Sequence, residues 1–205
     1  MRTVVVFNHP YEGSYCTAVL EAVLAGLRRA GVEADLMHLD KEGFDPVMRA
    51  EDLKGFKDGT PIDPKVVEYR ARLEQADHLV LIFPIWWELM PAMTKGFIDK
   101  VIFPGVAYDY DHSGRWPRMV KRWKRLKGVT LITTMNTHSF FYRLVFGNAI
   151  KKAIFTGTFW KMGYGNRKWI NLNMVKFVAE KKRKKWLSEI EERFASSFPT
   201  RQGSR

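Results

Sequence analysis

The chain alternates between two apolar periodicities, and each change of period marks an element. Arg2–Asn8 (RTVVVFN) is a short run of β-branched and apolar residues, as a strand buried on both faces requires. Thr17–Ala30 then carries Val19, Leu20, Val23, Leu24 and Leu27 at helical spacing, and Gly31 supplies its stop. Val32–Leu39 alternates apolar and polar residues, which predicts a second strand nearer a sheet edge. Asp40–Asp63 is polar and aperiodic, a long excursion with a helical turn or two near Ala50–Phe56. Pro64–Gln75 reads as a helix, with Asp63 as its cap and Pro64 in its first turn. Leu79–Pro84 is the third strand, Ala92–Val101 the next helix and Val129–Thr134 the fourth strand. Ala149–Thr156 has helical spacing, and Trp169–Leu172 is a short fifth strand. Lys176–Phe198 is a closing helix with Trp186, Leu187, Ile190 and Phe194 on one side.

Strands alternating with helices predict a parallel sheet covered on both faces, because parallel strands need crossover connections. Ligands of such sheets bind outside the carboxyl ends of the strands. Three loops therefore carry the candidate chemistry: His9–Tyr15, Pro84–Met90 and Thr133–Tyr142.

Composition narrows the class. The 205 residues, 46% of them hydrophobic, suit one globular domain over 1–205. No apolar stretch reaches the roughly 18–20 residues that span a bilayer, and the N-terminus reads as a strand. A lone cysteine, Cys16, forms no internal disulfide, so the expectation is a cytoplasmic protein. Charge is lopsided. Residues 1–111 hold 12 Lys or Arg against 18 Asp or Glu, whereas residues 112–205 hold 22 against 4. The excess lies in Arg115–Lys127 and in the C-terminal helix of about 176–198, which could attract anionic lipid, nucleic acid or a phosphate-bearing cofactor. No nucleic-acid recognition motif accompanies it.

Within the first loop, Gly13, Ser14 and Tyr15 lead straight into a helix, whose unpaired N–H groups and dipole favour phosphate. His9 could add a donor. The plainer reading is a capped loop with Ser14 as N-cap and Cys16 packed behind it. In the second loop, Pro84 and Pro91 stiffen a segment holding Trp86 and Trp87. Consecutive residues of an extended chain point to opposite faces, so one tryptophan can pack inward while the other walls a pocket; the alternative is that they serve core packing alone. The third loop brings Thr133, Thr134, Asn136, His138 and Tyr142 to the same edge, with His138 or Tyr142 as candidate proton donor. No spacing of His, Cys, Asp or Glu suggests a metal site.

Taken together, Asn8-His9-Pro10 with Ser14, Asp63-Pro64, Ala76-Asp77, Phe83-Pro84-Ile85-Trp86-Trp87, Pro91-Ala92, Lys95 to Val101 and Gly105 to Tyr108 resemble the flavodoxin-like NAD(P)H quinone oxidoreductases. That group includes the modulator of drug activity B type and the ancillary flavoproteins of glutathione-gated potassium efflux. The resemblance implies a five-stranded parallel sheet of order 2-1-3-4-5 with helices on both faces, a bound FMN or FAD, and a homodimer. It further implies that His9, Ser14, Tyr15 and Cys16 hold the flavin phosphate, and that Pro84, Ile85, Trp86 and Trp87 line its ring. NAD(P)H would be the electron donor and a quinone-like molecule the acceptor. Met135-Asn136 stand where the family often has Gly-Gly, and Glu88-Leu89-Met90 where it has small residues, which predicts side-chain bulk at the flavin face. The alternative implied function is a regulatory or binding protein of the transporter-ancillary type, docked through its basic half on a membrane protein or anionic lipid.

Overall fold

The computed structural model describes residues 1–198, apart from the side chains of Phe56 and Asp58. Residues 199–205, into which the expected 1–205 domain extends, lie outside the described residues. The chain runs β1 (Arg2–Phe7), α1 (Tyr15–Arg29), β2 (Glu33–His38), α2 (Ala50–Asp58), α3 (Pro64–Glu74), β3 (His78–Pro84) and α4 (Ala92–Val101). It continues through β4 (Tyr108–Asp111), β5 (Arg118–Lys121), β6 (Gly128–Thr134), α5 (Ser139–Leu144), a π-helical segment (Lys151–Trp160), β7 (Arg167–Leu172) and α6 (Glu180–Ser196).

Five strands form one parallel sheet in the order β2-β1-β3-β6-β7. Numbering these five strands alone gives 2-1-3-4-5, the expected order. Because side chains alternate across the sheet, β1 and β3 feed both faces. Val4, Val6, Leu79, Leu81 and Phe83 pack against Val66, Tyr69 and Leu73 of α3 and Phe97 and Val101 of α4. Val5, Phe7, Val80 and Ile82 pack against α1 and against Ile190 and Phe194 of α6. The α1–α6 approach is close enough that a Cβ on Gly26 would fall 2.4 Å from the Glu191 carbonyl oxygen.

Several residues of the family resemblance hold this scaffold together. Lys100, almost wholly buried, donates to Asp63 at 2.6 Å and to the Asp45 carbonyl at 3.1 Å, tying α4 to the start of α3. Asp63 in turn caps α3 by accepting from the Lys65 N–H. Buried Asn8 donates to Asp40 at 2.9 Å and accepts from the Thr94 hydroxyl at 2.8 Å.

Three elements depart from expectation. The antiparallel β4–β5 hairpin is an addition, four residues to a strand. The helix expected at 149–156 is a π-helical segment displaced to 151–160. The closing helix begins only at Glu180, because Met174 adopts φ 60° and accepts two backbone N–H bonds in a preceding turn.

Candidate functional site

The loops after β1, β3 and β6 leave neighbouring strands at their carboxyl ends, so the sheet order itself gathers them. Ser14 caps α1: its Oγ accepts from the Thr17 N–H at 3.1 Å and lies 3.0 Å from the Thr17 hydroxyl. The N–H groups of Tyr15 and Cys16 have no acceptor among the described residues, so two donors stand open at a helix start. Their side chains face away from the loop. The Tyr15 hydroxyl donates to the Arg183 carbonyl at 2.8 Å, and burial pushes its pKa up to about 12. The Cys16 thiol is buried 3.1 Å from the Thr134 hydroxyl, and burial pushes its pKa up to about 11. It is a protonated, packed thiol. His9 accepts from the Tyr11 N–H at 3.1 Å, and its pKa is lowered chiefly by burial.

The second loop is a tight reversal. Trp86 and Leu89 exchange both backbone bonds, at 2.9 and 3.0 Å, across Trp87 (φ 49°) and Glu88 (φ 65°). Two successive left-handed residues closed by this pair make a type I′-like turn, a position that ordinarily takes Asn-Gly. Neither tryptophan points inward, contrary to the alternation expected of an extended chain. Extension ends at Ile85, which takes the buried place, and the turn throws the next two rings outward. Trp86 is 46% exposed and Trp87 98% exposed. Trp86 meets His9 edge-on, ring centroids 6.0 Å apart, so the first two loops share one wall.

Glu88 is the residue that sequence reasoning treated only as a departure. Its Oε1 accepts from the Thr137 hydroxyl at 2.6 Å, its carbonyl accepts from the Tyr142 hydroxyl at 3.1 Å, and Oε2 is buried without a partner. Glu88 thus joins the second loop to the third. No single-sequence signal marks it, since consecutive non-glycine left-handed residues have no characteristic pattern.

The third loop spends most of its polar groups on the scaffold. Buried Thr133 donates to Asn171 at 2.9 Å and accepts from the Trp169 indole at 2.9 Å. The Thr134 carbonyl receives the Ile85 N–H at 2.8 Å. Met135 is buried in the core, so the bulk expected there lies beneath the loop and off the ligand face. Asn136 accepts from the Lys176 N–H at 3.0 Å. His138 caps α5, its Nδ1 accepting from the Phe140 N–H at 3.2 Å, and its ring is exposed. Tyr142 is fully buried, and its hydroxyl donates to Glu88 while accepting from the Ile150 N–H at 3.0 Å. With both functions engaged, that hydroxyl braces the loops.

Open amides at Tyr15 and Cys16 suit a phosphate. The unpaired N–H groups of Trp87 and Glu88, beside the exposed Trp86 face, suit the polar edge and flat surface of a flavin ring. The donor set fits such a cofactor. Among the described residues no group of three or more His, Cys, Asp or Glu side chains could hold a metal ion. None of the helices there is long and apolar enough to cross a membrane.

Comparison with known proteins agrees with this geometry. A family model described as flavodoxin-like fold matches residues 1–194. The uncharacterized NAD(P)H oxidoreductase YcaK of Escherichia coli is 32% identical over 128 residues, covering 62% of this chain and 64% of that protein. NAD(P)H dehydrogenase [quinone] 1 of Rattus norvegicus is 29% identical over 129 residues, covering 53% of this chain and 46% of its own. The chain thus aligns with only about half to two-thirds of these relatives' length. Among solved structures, Smu.1420 of Streptococcus mutans superposes with TM-score 0.81 at 28% identity, covering 95% of this chain and 99% of its own. The NAD(P)H:quinone oxidoreductase of Methanothermobacter marburgensis shares the fold, with TM-score 0.84 at 22% identity over 97% of this chain and 99% of its own. The strand order, the loop geometry and a family match over residues 1–194 place the chain in the flavodoxin-like family that includes the NAD(P)H quinone oxidoreductases.

Proposed function

We propose that this protein is a flavin-dependent oxidoreductase that passes two electrons from NAD(P)H to a quinone-like acceptor. One observation carries the reading: the open amides of the α1 start and the exposed Trp86 ring lie on adjacent loops joined by the His9–Trp86 contact. When bound, a flavin would supply the hydride chemistry between nicotinamide and acceptor. The chain's own groups bind and orient. Tyr15 and Cys16 offer backbone donors, and Ser14 a hydroxyl, to the phosphate of FMN or FAD. Trp86 walls the ring, with the Trp87 and Glu88 amides at its edge. Of the two predicted proton donors, His138 keeps an accessible ring and is assigned the proton delivered to the acceptor oxygen. Such chemistry belongs in the cytoplasm, where NAD(P)H is at hand.

The exposed Trp87, Leu89, Phe140, Phe141, Leu144 and Phe146 sit on the turn and on or next to α5, which Tyr142 and Glu88 join. This apolar surface favours the homodimer that the family resemblance implies. The purified protein tests the proposal. Yellow protein, or uptake of FMN or FAD with flavin absorbance, and NADPH or NADH oxidation that requires a quinone are the expected results. Ser14→Ala then weakens flavin binding by about tenfold, the scale of a hydrogen bond to a charged group. A colourless protein that takes up neither flavin refutes the enzyme. If salt-sensitive binding to anionic vesicles through Lys181–Lys185 accompanies that failure, the ancillary binding role takes its place.

A further inference from the structure

On the β7 side of the same sheet edge, α5, the start of the π-helical segment and the end of β7 enclose a cleft of about 360 Å³. It contains none of the flavin-facing residues His9, Ser14 or Trp86. Its polar lining is one-sided in charge: Arg143 and Lys151 contribute cations, no carboxylate lines it, and neither cation has an ion-pair partner among the described residues. Asn148 and Asn173 add amides. Asn148 is held at φ 56° by an N–H bond to the Tyr142 carbonyl at 2.8 Å. Its Oδ1 is buried without a partner, which leaves Nδ2 as the accessible, donating end.

The apolar lining is aromatic and fixed. The Trp169 indole is locked by its 2.9 Å bond to Thr133, and the Phe155 ring carries the Arg167 guanidinium 4.8 Å from its centroid. Phe155 and Lys151 both come from the π-helical segment, a helix type that recurs at functional sites. Unpaired cations with amide donors recognise an anion, and held aromatic faces recognise a planar ring. A strained asparagine with an orphaned oxygen is the kind of cost that binding sites retain. The volume stands at the low end of ligand pockets, enough for one ring system and too small for a whole dinucleotide.

We propose that this cleft, bordered on one side by Ser139 and Tyr142 of the third loop, binds a planar aromatic molecule carrying an anionic group, at a site apart from His9, Ser14 and Trp86. Such a group is an aromatic carboxylate or the adenosine-phosphate end of a nucleotide. Isothermal titration with 2-naphthoate, adenosine 2′,5′-bisphosphate, neutral 2-naphthamide and inorganic phosphate tests it. At least one of the two aromatic anions binds, and which one identifies the source. The amide and inorganic phosphate bind at least tenfold more weakly. The R143Q/K151Q variant, changed only at exposed side chains, loses at least tenfold in affinity. Phe155→Leu, which keeps an apolar side chain but removes the ring, loses more affinity than its change in melting temperature accounts for. The proposal fails if neither aromatic anion binds at millimolar concentration, if the amide binds as well as the acid, or if R143Q/K151Q binds unchanged. It also fails if FMN displaces the ligand, because the anion would then sit with the flavin beside Ser14 and Trp86. The titration reads the apoprotein directly, so absence of flavin uptake leaves it intact, and its own failure leaves the flavin proposal standing.

Discussion

Replacing Tyr142 with Phe separates a structural brace from a proton donor. The hydroxyl removed is buried and makes two bonds, one to the Glu88 carbonyl at 3.1 Å and one from the Ile150 N–H at 3.0 Å. Ile150 is also fully buried, so its N–H becomes an unsatisfied donor with no water in reach, at a cost of about 1–3 kcal/mol. Loss of the bond to the carbonyl of Glu88, a half-buried residue in an otherwise exposed turn, adds about 0.5–1.5 kcal/mol. The sum is about 1.5–4.5 kcal/mol, a large share of the roughly 5–15 kcal/mol that typically holds a protein folded. For a chain of this length it lowers the melting temperature by about 3–18 °C. Urea denaturation measures the change, and hydrogen exchange at the Leu89 amide reports whether the turn opens with it. Because the turn carries the Trp87 and Glu88 amides, flavin affinity falls together with stability. A Tyr142→Phe protein that is as stable as its parent, binds flavin normally and yet turns over slowly would refute the brace and restore Tyr142 as a proton donor.

Two further outcomes follow from buried titratable groups. His78, largely covered at the start of β3 beside Thr130 and near Lys168, has its pKa lowered to about 4, with desolvation as the larger cause. The unfolded chain therefore takes up this proton near pH 6.5 and the folded chain only near pH 4, so stability is full above pH 6.5 and falls between those values. The loss is about 3 kcal/mol, and His78→Gln, by denaturation at pH 7 and pH 4.5, flattens this slope; an unchanged slope counts against it. Cys16, its pKa raised to about 11 by burial, resists iodoacetamide at pH 8 in the folded protein and reacts readily in urea. Labelling of the native protein at the rate of a free thiol contradicts the packing described for Thr134.

The central sheet was readable because β1, β3 and β6 are nearly continuous apolar runs, and their order followed from the family motifs. The β4–β5 hairpin escaped because Tyr108–Asp111 and Arg118–Lys121 are short, and the second is charged and exposed at both ends. The π-helical geometry escaped because one extra residue in the hydrogen-bond ring leaves no mark on composition. Site residues divide in the same way. Topology located the three loops, and the helix-start logic located Ser14. The directions of Thr133, Cys16, Tyr15 and Tyr142 depend on partners 8 to 168 residues away, such as Asn171, Thr134, Arg183 and Ile150. No local pattern encodes those choices.

The turn at Trp87-Glu88 shows how such distant partners decide a local conformation. Two non-glycine residues in left-handed backbone cost about 1–2 kcal/mol each, so an isolated Trp-Trp-Glu-Leu segment would not hold this shape. Here the reversal is overdetermined. Its own paired backbone bonds close it, Thr137 grips the Glu88 carboxylate, and Tyr142 grips the Glu88 carbonyl. Asn-Gly would form the same turn without strain, but it would supply neither the carboxylate that reaches the third loop nor an indole standing free of the surface. Strain of about 2–4 kcal/mol is thus offset by these backbone bonds together with the Thr137 bond to the carboxylate, which Asn-Gly could not make. The result is a rigid shelf at the sheet edge, with Trp86 against His9 and Trp87 presented outward, whose geometry depends on the loop after β6.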